Sequence, residues 1–258
     1  KNSLDAIDYK NNLISVTDIK GQSQQQPFDV LLGNDGAASK VRQSFEAEGV
    51  EGMSSELLSH SYKELTIEAD ELGPNRFKID KHSLHIWPRG EYMLIALPNL
   101  DGSFTVTLFL PNEGEYSFES LKDKLAVNQF FSDQFKDAMD LMPNLADEFF
   151  ENPTGILGTI RCKQWNHKNA LIMGDAAHAI VPFHGQGMNC GFEDCFELNR
   201  LLDKHHDDWK IVMGLYTQAR VHNANAIADM ALDNYIEMRD SVRDSKFHLK
   251  KAIAFFAK

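Results

Sequence analysis

The chain has 258 residues, 43% of them hydrophobic, enough to bury a sizeable core in one large domain or two modest ones. With 26 Lys and Arg against 38 Asp and Glu, a formal charge of -12 and no basic block, it is not built to hold nucleic acid or an anionic membrane, so small molecules are the expected partners. Cys162, Cys190 and Cys195 form no C-x-x-C pair, and no run of about 18 apolar residues occurs; a disulfide framework, a metal and a membrane span are therefore not expected, and a reducing, cytoplasmic setting is.

In chain order, residues 1 to 44 read as short strands. Leu13-Ile14-Ser15-Val16 is one, and Phe28-Asp29-Val30-Leu31-Leu32 is another, entering the tight turn Gly33-Asn34-Asp35-Gly36. Residues 61 to 111 carry β-branched and aromatic residues at 62 to 67, 84 to 87, 93 to 97 and 104 to 110, separated later by Pro88-Arg89-Gly90-Glu91 and Asn99-Leu100-Asp101-Gly102. That pattern predicts a β-meander forming an antiparallel sheet. Residues 118 to 150 switch to helical spacing, with Leu121, Leu125, Phe130 and Phe131 among charged residues and Pro143 and Pro153 as punctuation, which suits a helical cap on the sheet. Asn169-Ala170-Leu171-Ile172-Met173-Gly174-Asp175 predicts a buried strand, followed by a glycine-rich loop and a helix with Met188, Phe192, Cys195, Phe196 and Leu202 roughly on one side. This unit resembles the strand–loop–helix of a nucleotide-binding layer. From Trp209 to residue 257 the pattern predicts one or two helices.

Two strings carry chemistry. In Gly174-Asp175-Ala176-Ala177-His178-Ala179, a carboxylate just past a buried strand can accept hydrogen bonds from a sugar-like hydroxyl, while the small residues admit a ligand to the backbone. Pro182-Phe183-His184-Gly185-Gln186-Gly187-Met188-Asn189 follows, and its glycines open a helix whose free N–H groups and dipole favour an anion. In Gly33-Asn34-Asp35-Gly36-Ala37-Ala38-Ser39-Lys40-Val41-Arg42, Asp35 can anchor a ligand or a neighbouring loop, and Arg42 offers a cation to a phosphate. Taken singly, each is an ordinary turn or helix entry.

Taken together, the two strings resemble the single-component FAD-dependent aromatic hydroxylases. Residues 174 to 189 are similar to that family's second FAD motif, and residues 35 to 42 match every fixed position of its D-G-x-x-S-x-V-R motif. Finer strings resemble the kynurenine 3-monooxygenase branch: Leu84-His85-Ile86-Trp87-Pro88-Arg89, Met93-Leu94-Ile95-Ala96-Leu97-Pro98-Asn99, Gly191-Phe192-Glu193-Asp194-Cys195 and Asn234-Tyr235-Ile236-Glu237-Met238-Arg239. The resemblance implies FAD as cofactor, NADPH as its reductant and O2 as co-substrate, with hydroxylation of L-kynurenine to 3-hydroxykynurenine in tryptophan catabolism.

Residue by residue, the resemblance gives Asp175 to the ribityl chain, beside Gly174, and lays Pro182, Gly185, Gln186, Gly187, Met188 and Asn189 against the flavin ring. Asp35, Gly36 and Arg42 take a dual part toward FAD and the nicotinamide cofactor. His178 becomes a packing and hydrogen-bonding residue, and no side chain is assigned as a certain acid, base or nucleophile. Leu84, Met93, Leu97 and Phe109 would line the sheet side of the kynurenine pocket. Pro182, Phe183 and His184 would form its flavin side, and Asn234, Glu237 and Met238 its helical wall. The residues alone support part of this: Met230, Asn234, Glu237 and Met238 fall at i, i+4, i+7 and i+8, a stripe whose amide and carboxylate could meet an amino-acid substrate.

The expected fold is α/β of mixed α+β type. A partial FAD-binding Rossmann-like layer (residues 1–44 and 156–205) accompanies an antiparallel β-sheet substrate domain covered by helices (45–155) and a C-terminal helical segment (206–258). The family's N-terminal βαβ unit with G-x-G-x-x-G is not found, and its substrate-carboxylate Arg and companion Tyr have no match in residues 1 to 27. Weak or no FAD binding and no turnover are therefore expected of the chain alone. Two competing readings are a flavoprotein of the same superfamily acting on a phenol or polyketide, and a non-catalytic binding module.

Overall fold

A computed structural model describes residues 2–73 and 75–240, without the side chains of 239 and 240, so the part of the expected C-terminal helical segment past 240 lies outside the described residues. The chain divides into two compact units, Lys1–Glu56 with Gly158–Asn234 and Leu57–Leu157 with Tyr235–Lys258.

Unit one begins with an antiparallel meander of β1 (Asn2–Asp8), β2 (Leu13–Asp18) and β3 (Ser23–Pro27). The strand expected at residues 28 to 32 is shorter, with β4 confined to Leu31–Gly33. Its ladder partner is only three residues long, and Phe28 and Val30 pack against the core from an irregular segment. Helix α1 (Lys40–Ala47) follows, capped by Ser39, whose hydroxyl accepts the Arg42 N–H. Strand β5 (Met53–Ile67) then carries the chain into unit two.

Unit two holds β6 (His85–Pro88), β7 (Met93–Pro98) and β8 (Phe104–Pro111), a true meander. Sheet order is β6-β7-β8-β5-β9, so the first strand joins the far side of β8, with Tyr62 opposite Phe109, rather than preceding β6. The long connection between β5 and β6 permits this. Helices α2 (Lys124–Gln134), α3 (Lys136–Met139) and α4 (Leu145–Glu151) cap the sheet, as the spacing predicts. Leu65, Ile67, Leu94, Ala96, Val106 and Leu108 bury against Val127, Phe131, Phe135 and Phe149. Strand β9 (Thr154–Cys162) returns the chain to unit one. Its Gly155 passes close to Tyr62, where a Cβ would lie 2.2 Å from the ring.

Back in unit one, β10 (Asn166–His167), β11 (Ala170–Ile172) and β4 form a three-stranded sheet in which β11 and β4 run parallel, Ala170 opposite Leu31 and Ile172 opposite Gly33. Then come α5 (Asp175–His178), a 3-10 turn at Pro182–His184, α6 (Gly187–Lys204) and the long α7 (Trp209–Asp240). The mixed α/β class holds. The apolar stripe of α6 divides: Met188, Phe192 and Phe196 are 72%, 65% and 69% exposed and Cys195 is also exposed, while Leu202 packs against the core. The buried face is instead Cys190, Asp194, Leu198 and Leu201, because Asp194 is drawn into charged contacts that a purely apolar count ignores. Among the described residues no helix is long and apolar enough to cross a membrane, and no group of three or more His, Cys, Asp or Glu could hold a metal ion.

Candidate functional site

Parallel pairing places the ends of β4 and β11 at one edge, so the turn carrying Asp35 and the turn carrying Asp175 are neighbours. The Met173 N–H donates to the Gly33 carbonyl at 3.0 Å, and a Cβ on Gly174 would lie 2.7 Å from Asn34 Oδ1. Gly174 also has φ +58, a conformation that L side chains rarely adopt. The carboxyl ends of parallel strands are where open α/β sheets bind ligands.

The two aspartates differ. Asp35 Oδ1 accepts the Ser39 hydroxyl at 2.5 Å, while Oδ2 accepts the Lys40 and Val41 N–H groups at 2.7 and 3.3 Å. It therefore anchors its own loop and the start of α1, where the dipole also favours a negative charge. Asp175, the first residue of α5, is exposed, and among the described residues no hydrogen bond reaches its carboxylate. Arg42 is buried, donating from Nη1 to the Ala176 carbonyl at 2.7 Å and from Nη2 to the Ala37 carbonyl at 2.5 Å. Its guanidinium thus ties one turn to the other, an occupation different from the phosphate contact that its charge suggests. Gly36 has φ +82 and open space where a Cβ would be.

A charged cluster that sequence reasoning missed lies beneath the Asp175 turn. The Asp194 carboxylate, fully buried, accepts the Gly174 N–H at 2.8 Å and Arg220 Nε–H at 2.7 Å, and lies 2.6 Å from His178 Nε2. Arg220, 2% exposed, also pairs with Glu193 at 2.7 Å. His178 stacks on Trp165 with ring centroids 4.9 Å apart. Burial alone would raise the Asp194 pKa, but its bonds to His178, Gly174 and Arg220 outweigh that and hold it below the ordinary carboxylate value. The signal was present in the spacing: Cys190, Asp194, Leu198 and Leu201 fall at i, i+4, i+8 and i+11, one helical face.

The loop from Pro182 leads into α6 with Phe183 buried and Pro182, His184 and Gly185 exposed. Gly185 adopts φ +63, and the nearest atom to a Cβ on Gly187 would be Ile180 Cγ1 at 4.0 Å. No side chain caps α6 and its first turn holds no acid, so Gly187, Met188 and Asn189 present N–H groups without a helical partner. Gln186 accepts from the Asn189 side chain through Oε1. Asn234 on α7 donates to the Phe183 carbonyl at 2.5 Å, tying this turn to the helix.

In unit two, strand alternation puts Met93, Leu97 and Phe109 on the sheet face turned away from the helices; Met93 and Phe109 are direct cross-strand partners. Leu84 precedes His85, which pairs with Ala96, and so continues the register opposite Leu97. Met93 and Phe109 are buried, whereas Leu84 and Leu97 are about half exposed. Phe109 packs on Tyr62 with centroids 6.2 Å apart. Glu237 and Met238, on the part of α7 assigned to this unit, are partly buried.

Comparison with known proteins gives the family. Residues 18–231 match the family model described as an FAD binding domain. The chain is 48% identical to the kynurenine 3-monooxygenase of Flavobacterium johnsoniae, over 91% of this chain and 52% of that protein. It is 48% identical to the kynurenine 3-monooxygenase of Myxococcus xanthus, over 96% and 53%. It thus spans about half the length of these relatives. Among solved structures, Klebsiella pneumoniae HpxO complexed with FAD and uric acid superposes with a TM-score of 0.64 at 15% identity, covering 100% of this chain and 61% of that one. Pseudomonas aeruginosa PqsL in complex with 2-aminobenzoylacetate gives 0.68 at 18% identity, covering 96% and 66%. At such identities these two likenesses speak for the fold.

The residues present fit a dinucleotide of this kind: an unengaged carboxylate for hydroxyl groups, an uncapped helix start for negative charge, and glycines leaving room where a Cβ would intrude. With most of its length matched by the family model, and two motif turns brought to one sheet edge, the chain belongs to the FAD binding domain family.

Proposed function

We propose that this chain forms part of an FAD- and NADPH-dependent monooxygenase that hydroxylates L-kynurenine to 3-hydroxykynurenine. The observation that carries the reading is the unengaged Asp175 carboxylate at the end of β11, in a chain 48% identical to named kynurenine 3-monooxygenases. Bound FAD, reduced by NADPH, supplies the O2 activation for which protein side chains have no chemistry of their own.

The chain's own residues bind, orient and exclude water. Asp175 accepts hydrogen bonds from the ribityl hydroxyls, and the uncapped N–H groups at Gly187, Met188 and Asn189 favour negative charge near the flavin ring. Gly185 and Gly187 leave the backbone open to the ring, while Pro182 and Phe183 keep water off it. Leu84, Met93, Leu97 and Phe109 offer an apolar wall to an aromatic ring. Asn234, Glu237 and Met238 form the helical wall toward the polar amino-acid end, and His184 stands with Pro182 and Phe183 on the flavin side. An aniline-like ring is electron-rich, so a strong base is not required of the protein. Residues 1–44 and 156–205 belong to the FAD-binding domain in this reading, 45–155 to the substrate domain and 206–258 to the C-terminal helical segment. Three free thiols suit a reducing, cytoplasmic setting.

The test is kynurenine-dependent NADPH consumption by the full-length protein, with 3-hydroxykynurenine identified by mass, beside a panel of phenols. Hydroxylation of a phenol with kynurenine untouched would overturn the substrate assignment. Purified protein without flavin absorbance after reconstitution with FAD would overturn the cofactor assignment.

A further inference from the structure

We propose that Asp194, held by Arg220, is a positioning residue for Asp175: it pins the Gly174 peptide and so fixes the direction in which the Asp175 carboxylate leaves the turn. This rests on the reading of Asp175 as the contact to the cofactor's hydroxyl groups.

The Gly174 N–H donates to Asp194 Oδ2 at 2.8 Å, and the Gly174 carbonyl accepts the Ala177 and His178 N–H groups at 2.9 and 3.0 Å. Gly174 has φ +58 and ψ -145. Glycine reaches many alternatives to that geometry at little steric cost, so the turn is only as definite as the bonds that hold it. Of the bonds made by Gly174 itself, the one to Asp194 is the one made to another element.

Asp194 cannot drift. Its other oxygen accepts Arg220 Nε–H at 2.7 Å, and Arg220 is fixed in turn by Glu193 Oε2 at 2.7 Å and the Cys190 carbonyl at 3.3 Å. His178, at 2.6 Å from the first oxygen, is clamped by its stacking on Trp165. The carboxylate thus joins α6, α7 and the Gly174–Asp175 turn through one buried group.

Stability alone is a weak reason for such a cluster, because buried ion pairs are commonly no more stabilising than apolar residues of similar volume. What an ionised acceptor does supply is direction: one N–H, at one angle, is preferred over every other arrangement of a flexible glycine. A rigidly aimed Asp175 binds hydroxyl groups without first being ordered, which raises affinity.

The experiment is a double-mutant cycle in the full-length protein, read as FAD dissociation constants by flavin fluorescence. Asp194→Asn keeps shape but leaves one acceptor oxygen for Gly174, His178 and Arg220 together. Asp194→Asn and Asp175→Asn are each expected to weaken FAD binding by about tenfold, and the double variant to bind no more weakly than Asp175→Asn alone. A general loss of structure would instead multiply the two effects, and that result, or wild-type affinity in Asp194→Asn, overturns the proposal. Where Asp194→Asn does not fold, the same cycle run with Arg220→Lys decides by the same criterion. Wild-type affinity in Asp175→Asn, with FAD otherwise bound, refutes the reading of Asp175 on which the inference stands. Absence of FAD binding in the unaltered protein refutes the proposed function itself.

Discussion

The Asp35 turn and the Asp175 turn end two neighbouring parallel strands, yet their carboxylates live differently. Asp35 spends both oxygens on its own loop, on Ser39, Lys40 and Val41, while Asp175 is exposed and unengaged above a buried charge cluster. A motif aspartate can thus be scaffold or open acceptor, and the donors around it show which. Each turn is also held by an arginine, and those roles differ too. Arg42 bridges the two turns through carbonyl groups, whereas Arg220 neutralises the carboxylate beneath one of them.

The largest expected effect is on the support of the Asp175 turn. Arg220→Ala leaves Asp194 buried without its cation and should cost about 3–5 kcal/mol in urea unfolding. A loss below about 1 kcal/mol would show that the cluster is not what holds this turn. Next, Asp35→Ala removes three hydrogen bonds at a helix start and should cost about 2 kcal/mol, seen as a lower urea midpoint at unchanged slope. Equal tolerance of Asp35→Ala and Asp175→Ala would erase the contrast between the turns.

A smaller effect comes with acid. The Asp194 pKa lies below its ordinary value of 3.8, so its contribution to stability is present above that pH and is lost as pH falls below it toward the folded-state value. Asp194→Asn should flatten stability against pH in that acidic window, and a curve still parallel to the unaltered protein's would assign the acid sensitivity elsewhere. Smallest is Asp175→Ala, which breaks no hydrogen bond among the described residues and should change unfolding free energy by less than about 0.5 kcal/mol. A cost near that of Asp35→Ala would mean that Asp175 is a structural anchor after all.

Local pattern was a good guide wherever one period and one kind of contact decided the element. The strands at 85–88, 93–98 and 104–111 and the helices between residues 118 and 150 follow from alternation and helical spacing. Pattern did not say which side of α6 is buried, and Met188, Phe192 and Phe196 are on the exposed one. A helix can hide either side, and here the hidden one carries Asp194, bonded to His178, Gly174 and Arg220. The site divides likewise: the two motif turns could be read from residue order, but the cluster beneath them joins the Gly174–His178 turn to Asp194 and Arg220, which lie on two other helices.

By itself, the order of residues determined the strands at 85–88, 93–98 and 104–111, the helices between residues 118 and 150, the two aspartate turns and the mixed α/β class, but not α1, which begins within a stretch read as strands; what it determined depends on near neighbours: alternation, turn glycines and helix entries. Tertiary structure alone decided that β5 lies beside β8, that Arg42 spends its charge on carbonyl groups, and that Asp194 faces inward. Those outcomes depend on which distant partner first satisfies a buried donor, acceptor or charge, and burial makes an unsatisfied one costly enough to overrule local preference.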